Sequence, residues 1–299
     1  MQTERNWLDL AFVGDVSLGG RVRESVSRDG PARPWSLLGS ALKGADAVVG
    51  NLECCVVPDA AAGQGRLSGM ATIQSSLAAL PAAGIGIVSL ANNHMMDAGA
   101  AGLETALNGL ARYGVRHVGA GHDLAAAEEV AVVSVRGYRL GLIAACDQSA
   151  SWAGPARAGV APLSWSLLER RVRGARPRCD VLIVMLHADY EFSPAPAPAR
   201  IRRSRRLAAA GADLVIQHHP HVLQGIETHG SSLIAYSLGN FVMQVAGNAY
   251  QEHREGTRDS IVLRVRIRPG VREAPHWRAI PVALTEAGCP ALVDAGERR

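Results

Sequence analysis

Cysteine is sparse and odd in number, with five among 299 residues. In a chain this long, that excludes the disulfide framework of a small secreted domain. Neither sign of charge dominates: 31 Lys+Arg against 27 Asp+Glu leave a formal charge of +4, too mild an excess to argue for nucleic acid. Long apolar runs are missing as well. The amino terminus, MQTERNWLDLAFVGD, has no stretch suited to a signal peptide or a membrane span. The longest nearly uncharged segment, Ile73 to Met96, is broken by Pro81, two glycines and Asn92-Asn93-His94. There is no Gly-rich phosphate loop, dinucleotide fingerprint or Gly-x-Ser-x-Gly elbow, and no internal repeat or linker-like shift in composition. Secretion, a membrane span and intrinsic disorder are disfavoured. A soluble, cytoplasmic protein is expected.

What is present is globular: 48% hydrophobic and 19% charged residues, enough to bury a sizeable core. Short apolar runs recur, each ending in polar residues. Leu8–Val13 runs into Gly14-Asp15, Ala45–Val49 into Gly50-Asn51-Leu52-Glu53, and Ile85–Leu90 into Ala91-Asn92-Asn93-His94. Val181–Leu186 runs into His187, and Leu214–Ile216 into Gln217-His218-His219-Pro220-His221. Helical stretches are predicted at Trp35–Leu42, Gln74–Ala83, Ala100–Tyr113, Ser164–Val172 and Ala199–Ala210. Strands alternating with helices predict an α/β fold whose strand-end residues gather at one rim. Val130–Val135 and Tyr138–Ala145 predict a hairpin around Arg136-Gly137, and Leu233–Ser237, Ile261–Ile267 and His276–Ala283 read as strands. Ile261–Ile267 alternates apolar and basic residues, as a half-exposed strand does. The sum predicts a single domain over 1–299, a four-layer αββα sandwich. Ser193-Pro-Ala-Pro-Ala-Pro-Ala reads as a stiff loop near the site, and Trp152-Ala-Gly-Pro as a surface loop or a flap.

Ten histidines include three at 218, 219 and 221. In an extended segment His-x-His puts both rings on one side, and the intervening proline stiffens the pair. Such clustering points to a metal or anion site. Each other candidate has a plain structural reading when taken alone. Asp15 is a turn cap, Glu53 a surface carboxylate, Asn93-His94 a loop and His187 a buried, hydrogen-bonded ring. Together, oxygen donors from Asp, Glu and Asn with imidazoles suit divalent ions such as Mn, Zn, Fe, Mg or Ca. Cys54 and Cys55 follow Glu53 and read as buried inert thiols. The run Arg200-Ile-Arg-Arg-Ser-Arg-Arg reads as the solvated face of a helix.

The blocks Gly-Asp-Val-Ser-Leu-Gly-Gly-Arg at 14–21, Asn-Leu-Glu at 51–53 and Ser-Leu-Ala-Asn-Asn-His at 89–94 carry a resemblance. With Gly119-Ala-Gly, His187, Gly211-Ala-Asp-Leu-Val-Ile-Gln-His-His-Pro-His and Tyr236-Ser-Leu-Gly-Asn-Phe, they resemble the CapA family over about residues 8–245. These are poly-γ-glutamate capsule biosynthesis proteins, relatives of the calcineurin-like metallophosphoesterases. The resemblance implies the metallo-dependent phosphatase sandwich. It also implies divalent metal held by Asp15, Glu53, Asn93, His187, His219 and His221, with His94 as acid–base group and Asp15 and Glu191 assisting. His218 has no counterpart in the simpler His-x-His motif and is assigned a supporting position. The chain departs from the phosphoesterase Asp-x-His, having Ser17 two residues after Asp15. It also reads His187-Ala-Asp-Tyr-Glu191-Phe where relatives commonly read His-Trp-Gly-x-Glu-Tyr.

The resemblance implies a metal-dependent hydrolase or transferase for a phosphoester or a γ-glutamyl peptide amide. A peptide or polyglutamate-like substrate would be its partner. Two alternatives stay open: a peptide epimerase on the same scaffold, in which groups on either face of a stereocentre exchange its proton, and a non-catalytic assembly component.

Overall fold

A computed structural model describes residues 6–63, 67–149 and 151–293. The remaining positions of the single domain expected over 1–299 lie outside the described residues. In chain order, β1 (Leu8–Val16) is followed by α1 (Gly20–Asp29), β2 (Ala47–Leu52), β3 (Ile85–Ser89), α2 (Gly99–Arg112) and β4 (Arg116–Val118). A hairpin, β5 (Ala131–Val135) and β6 (Tyr138–Cys146), leads to α3 (Trp165–Ala175), β7 (Val181–His187), α4 (Pro198–Ala210) and β8 (Leu214–His218). The chain closes with β9 (Ile226–His229), β10 (Ser232–Ala235), β11 (Asn240–Val242), β12 (Asp259–Ile267), β13 (His276–Leu284) and β14 (Pro290–Leu292).

These strands build two mixed sheets. The first has the order β14-β13-β12-β1-β2-β3-β4, with β11 also paired to β1, and the second has the order β9-β10-β8-β7-β6-β5. The central neighbours β1–β2–β3–β4 and β6–β7–β8–β10 are parallel, while the flanking strands β12, β13, β5 and β9 are antiparallel. The middle strands are buried on both faces, which explains their unbroken apolar runs. In β1, Leu8, Leu10 and Phe12 pack between the sheets against Leu142, Ile183 and Leu214. Ala11 and Val13 face the opposite way, into the cluster that holds Val22 of α1 and Leu103 and Leu110 of α2. In β7, Ile183 and Met185 point between the sheets, and Leu182, Val184 and Leu186 pack with Leu168, Val172 and Leu207 of α3 and α4. Helix, sheet, sheet and helix therefore form the four layers that the sequence predicts.

Three sequence expectations need correction. Trp35–Leu42 is not a helix: a short 3-10 turn at Arg33–Trp35 gives way to irregular turns. Pro34 starts that turn, and Gly39 takes a positive φ of 53°, so the apolar spacing there serves packing rather than an α-helical stripe. The basic alternation in β12 does not mark a half-exposed strand throughout, because Arg264 is buried and donates to Asp9 Oδ1 from Nη2 at 2.6 Å. The Arg-rich helix α4 is not wholly solvated either. Arg200 is only 5% exposed, because its guanidinium enters the protein toward Gln217.

Among the described residues, no helix is long and apolar enough to cross a membrane.

Candidate metal centre

The parallel strands of both sheets end at a common rim, and their last residues turn into it. Gly14 makes this possible in β1: a Cβ there would lie 1.9 Å from the Gly239 carbonyl oxygen, so only glycine permits the backbone contact. Asp15 N–H donates to that same carbonyl at 3.0 Å, and Asp15 pairs in register with Asn51 of β2 and Asn240 of β11. Both flanks of the carboxylate are fixed before any side chain contributes.

Asp15 and Glu53 are fully buried. Asn51 Nδ2 donates to Asp15 Oδ1 at 2.8 Å and meets His187 Nδ1 at 3.2 Å. His187 Nε2 lies 2.8 Å from Asn93 Oδ1, 3.1 Å from His219 Nδ1 and 3.6 Å from Glu53 Oε1. His221 Nδ1 meets Asn240 Oδ1 at 2.9 Å and Asp15 Oδ2 at 3.6 Å, while its Nε2 lies 3.8 Å from Glu53 Oε1. Two ligand sets share Glu53. Glu53, His219 and His221 each offer one donor atom within 4.8 Å of the others, and so do Asp15, Glu53 and His187.

All six metal-ligand candidates read from the sequence, Asp15, Glu53, Asn93, His187, His219 and His221, thus come together. His94 and Glu191 lie beside them. Asn92 shapes the turn that presents Asn93 and His94, since its Oδ1 accepts from the backbone N–H of His94 (3.1 Å) and Met95 (2.9 Å). His94 Nδ1 sits 2.8 Å from Asp97 Oδ2. Glu191 Oε1 lies 3.9 Å from His221 Nε2, and its carboxylate accepts from the Tyr250 hydroxyl.

The His-x-His geometry differs from the extended segment expected. His219 and His221 have φ of 99° and 59°, in the left-handed region, where non-glycine residues store about 1–3 kcal/mol of strain each. The chain turns at Pro220 rather than running straight, and the rings still converge, with centroids 5.9 Å apart. His218 meets the Val13 carbonyl oxygen at 3.2 Å through Nε2, and so ties the two sheets together.

Sequence reasoning did not single out Asn51 and Asn240. Asn51 is two residues before Glu53 in the same block, and Asn240 follows Gly239 in Tyr-Ser-Leu-Gly-Asn. In both cases an amide at a strand end was the available signal.

The electrostatics favour a cation. Burial, then the neighbouring Asp15 carboxylate, holds Glu53 well above the ordinary carboxylate range. Burial, then the charges of His219 and His221, pushes His187 well below the usual imidazole value. Burial and His221 bring His219 down to about 3. The rings of His187 and His219 are therefore neutral, as metal ligands must be. Among the described residues, neither buried Glu53 oxygen has a hydrogen-bond partner, a costly state for a carboxylate. A divalent ion would relieve it, and the Asp/Glu/Asn/His donors fit one.

The chain is 27% identical to the capsule biosynthesis protein CapA of Bacillus anthracis over 274 residues, covering 89% of this chain and 65% of that protein. It is 27% identical to the PGA biosynthesis protein CapA of Bacillus subtilis over 284 residues, covering 94% of this chain and 72% of that one. A probable polyglutamine synthesis accessory protein of Mycobacterium tuberculosis is 33% identical over 178 residues, covering 54% of this chain and 46% of its own length. The chain spans less than two thirds of the Bacillus anthracis relative. The family model described as bacterial capsule synthesis protein PGA_cap matches residues 9–245, a span from β1 to just past β11 that contains every residue of the cluster. On this match the chain belongs to the PGA_cap family of bacterial capsule synthesis proteins.

Proposed function

We propose that this protein is a metal-dependent hydrolase or transferase acting on γ-glutamyl or other acidic peptide amides. The observation that carries the reading is the Glu53 carboxylate, buried and unpartnered between imidazoles and Asp15. Glu53, His219 and His221 would hold one divalent ion, and Asp15, Glu53 and His187 a second position sharing Glu53, with Asn93 beside His187. When bound, such an ion supplies Lewis-acid polarisation of a carbonyl or phosphoryl oxygen and an acidified water.

The protein's own groups complete the chemistry. Asn51 bridges Asp15 and His187 and fixes the orientation of both, as supporting hydrogen bonds do around metal ligands. Asn240 does the same for His221. Asp97 holds the His94 ring by Nδ1, which leaves Nε2 to deliver a proton to the departing amine. The names of the Bacillus relatives, which refer to capsule and PGA biosynthesis, support an acidic, glutamyl-rich substrate.

The test is turnover by the full chain loaded with Mn or Zn, using γ-glutamyl-p-nitroanilide and p-nitrophenyl phosphate in parallel. Metal-dependent release from the anilide, lost in His219→Ala, is expected. Release from the phosphate alone would redirect the reading to a phosphoesterase, and release from neither would overturn hydrolysis.

One observation favours a second reading. Two separate proton-transfer groups flank the cluster, His94 on Asp97 and Glu191 with Tyr250. Amide cleavage needs one proton donor, whereas inversion at a peptide Cα uses a base on one face and an acid on the other. Incorporation of deuterium at Cα of an acidic peptide in heavy water, without cleavage, would establish the epimerase.

A further inference from the structure

Beyond the last family-matched residue, the chain makes a turn-rich excursion from Ala246 to Arg258 before entering β12. This segment is wired to the centre. Asn240, whose Oδ1 meets His221, donates from Nδ2 to Gln251 Oε1 (3.0 Å) and to the Thr257 carbonyl (3.0 Å). Gln251 and Thr257 are buried, at 4% and 1% exposure. The Thr257 hydroxyl lies within hydrogen-bond reach of two carbonyls, Arg254 at 2.8 Å and Gln251 at 3.1 Å, so the backbone carrying Arg254 is held from below.

Above this base, the segment meets the loop that follows His187. Tyr250 donates to Glu191 and packs edge-on against Phe192, with centroids 5.3 Å apart. Arg254 lies over the same Phe192 ring at 5.2 Å, and Phe192 in turn lies 6.1 Å from the His221 ring. Phe192 holds a positive φ of 59°, and its N–H donates to the Pro220 carbonyl at 2.8 Å. The backbone that carries the ring beneath Arg254 is therefore constrained. Arg254 is exposed, and among the described residues its guanidinium has no carboxylate partner. It is a fork-shaped cation placed beside a cluster that otherwise presents the carboxylates of Glu191, Glu53 and Asp97.

We propose that Arg254, seated on Phe192 beside Tyr250, is a specificity residue that binds a side-chain or terminal carboxylate of an acidic peptide substrate next to the reacting bond. The planar guanidinium binds a carboxylate through two parallel hydrogen bonds, and stacking on an aromatic ring preorganises it for this. This inference rests on the proposed acidic-amide substrate, but its test reads binding and does not require turnover.

The experiment titrates γ-linked tetraglutamate, and the same γ-linked tetramer with every free carboxylate converted to a carboxamide as a neutral control, into the metal-loaded full chain by calorimetry. Wild type, Arg254→Ala and Arg254→Lys are compared, with bound metal and melting temperature recorded for each. Wild type is expected to favour the acid. Arg254→Ala should weaken the acid by about 10-fold or more, as expected for a charge-assisted hydrogen bond. The same substitution should leave the neutral peptide, metal content and melting temperature unchanged. Arg254→Lys should recover part of the loss, since it restores charge without the fork. Equal weakening of both peptides would mean that Arg254 only packs on Phe192, and unchanged binding of the acid, or no preference in wild type, would also overturn the proposal. Arg254-dependent binding in a protein that cleaves no γ-glutamyl bond would leave the subsite standing and remove the hydrolase reading.

Discussion

His187 Nε2 lies 3.1 Å from His219 Nδ1 and 2.8 Å from Asn93 Oδ1, although these residues come from the ends of β7, β8 and β3 in two different sheets. Three donor atoms from remote parts of the chain meet at hydrogen-bond distance in a buried space beside a carboxylate with no partner. That geometry suits one ion better than it suits three mutually bonded side chains, because a single proton between His187 and His219 leaves Glu53 unsatisfied.

His219→Ala and His94→Asn should therefore separate binding from chemistry. Removing an imidazole ligand should lower metal affinity by about 10-fold or more, as loss even of a supporting group costs about 10–100-fold. His94→Asn should keep the metal while turnover falls by about 10²–10⁴-fold, the usual worth of a positioned proton donor. Elemental analysis, melting temperature and turnover on both variants check this. A folded His94→Asn protein with unchanged turnover would show that His94 only packs against Asp97.

Metal stoichiometry should fall short of a tight pair. Ser17, 2% exposed and with its hydroxyl 3.8 Å from the Met70 sulfur, stands where an Asp-x-His motif would supply an imidazole. The candidate position of Asp15, Glu53 and His187 would therefore lack the imidazole that such a motif supplies beside Asp15. Dialysed protein is expected to retain fewer than two ions per chain by mass spectrometry. Two chelator-resistant ions would contradict this.

Arg200→Leu should be costly to the fold. The guanidinium donates from Nε to Gln217 in β8, sits 3.7 Å from Asp147 and lies over the Trp165 ring at 5.4 Å. Its loss strands the Gln217 amide oxygen in the core and removes a cation facing Asp147. The expected destabilisation is about 3 kcal/mol, the low end for breaking a buried charged pair because Asp147 is partly exposed. Urea unfolding measures it, and a change under about 0.5 kcal/mol, the usual range for surface sites, would place Arg200 among the solvated arginines of α4.

The thiols should be silent in the native protein. All five cysteines are buried, and burial pushes Cys54 up to about 12 and Cys55 up to about 11. At pH 8 the reactive thiolate is therefore scarce. Ellman's reagent should detect less than one fast-reacting thiol in native protein and all five after denaturation. Rapid native reaction of Cys54 or Cys55 would reopen a nucleophilic role next to Glu53.

Much of the candidate site was legible because parallel strands buried on both faces read as unbroken apolar runs, and the polar residue that ends each run falls on the rim. Asp15, Glu53, Asn93, His187 and His219 all announce themselves in this way. The hairpin at Arg136-Gly137 was legible for a similar reason, since two apolar runs flank a short turn, and β5 and β6 pair as expected. Asn51 escaped notice because an amide inside a strand has a plain structural reading until its partners are known. The five-in-seven arginine run of α4 looked uniformly solvated because helical periodicity gives no sign that Gln217 waits beneath one of them.

The local chemistry of this protein, meaning which residue types end which strands and in what order, was determined by the sequence, through short-range apolar patterning and motif spacing. The tertiary structure alone decided which of those ends meet. It bent His219 and His221 into left-handed backbone instead of an extended strand, drew Asn51 and Asn240 in as orienting amides, buried Arg200 and Arg264, and set Arg254 on Phe192 beside the centre. The physical reason is that the hydrophobic pattern is additive along the chain, whereas hydrogen bonds and charge pairs depend on ångström-scale distances between segments 204 residues apart or more, such as His219 and Asp15 or Arg264 and Asp9. Only the closing of two sheets against each other fixes those distances.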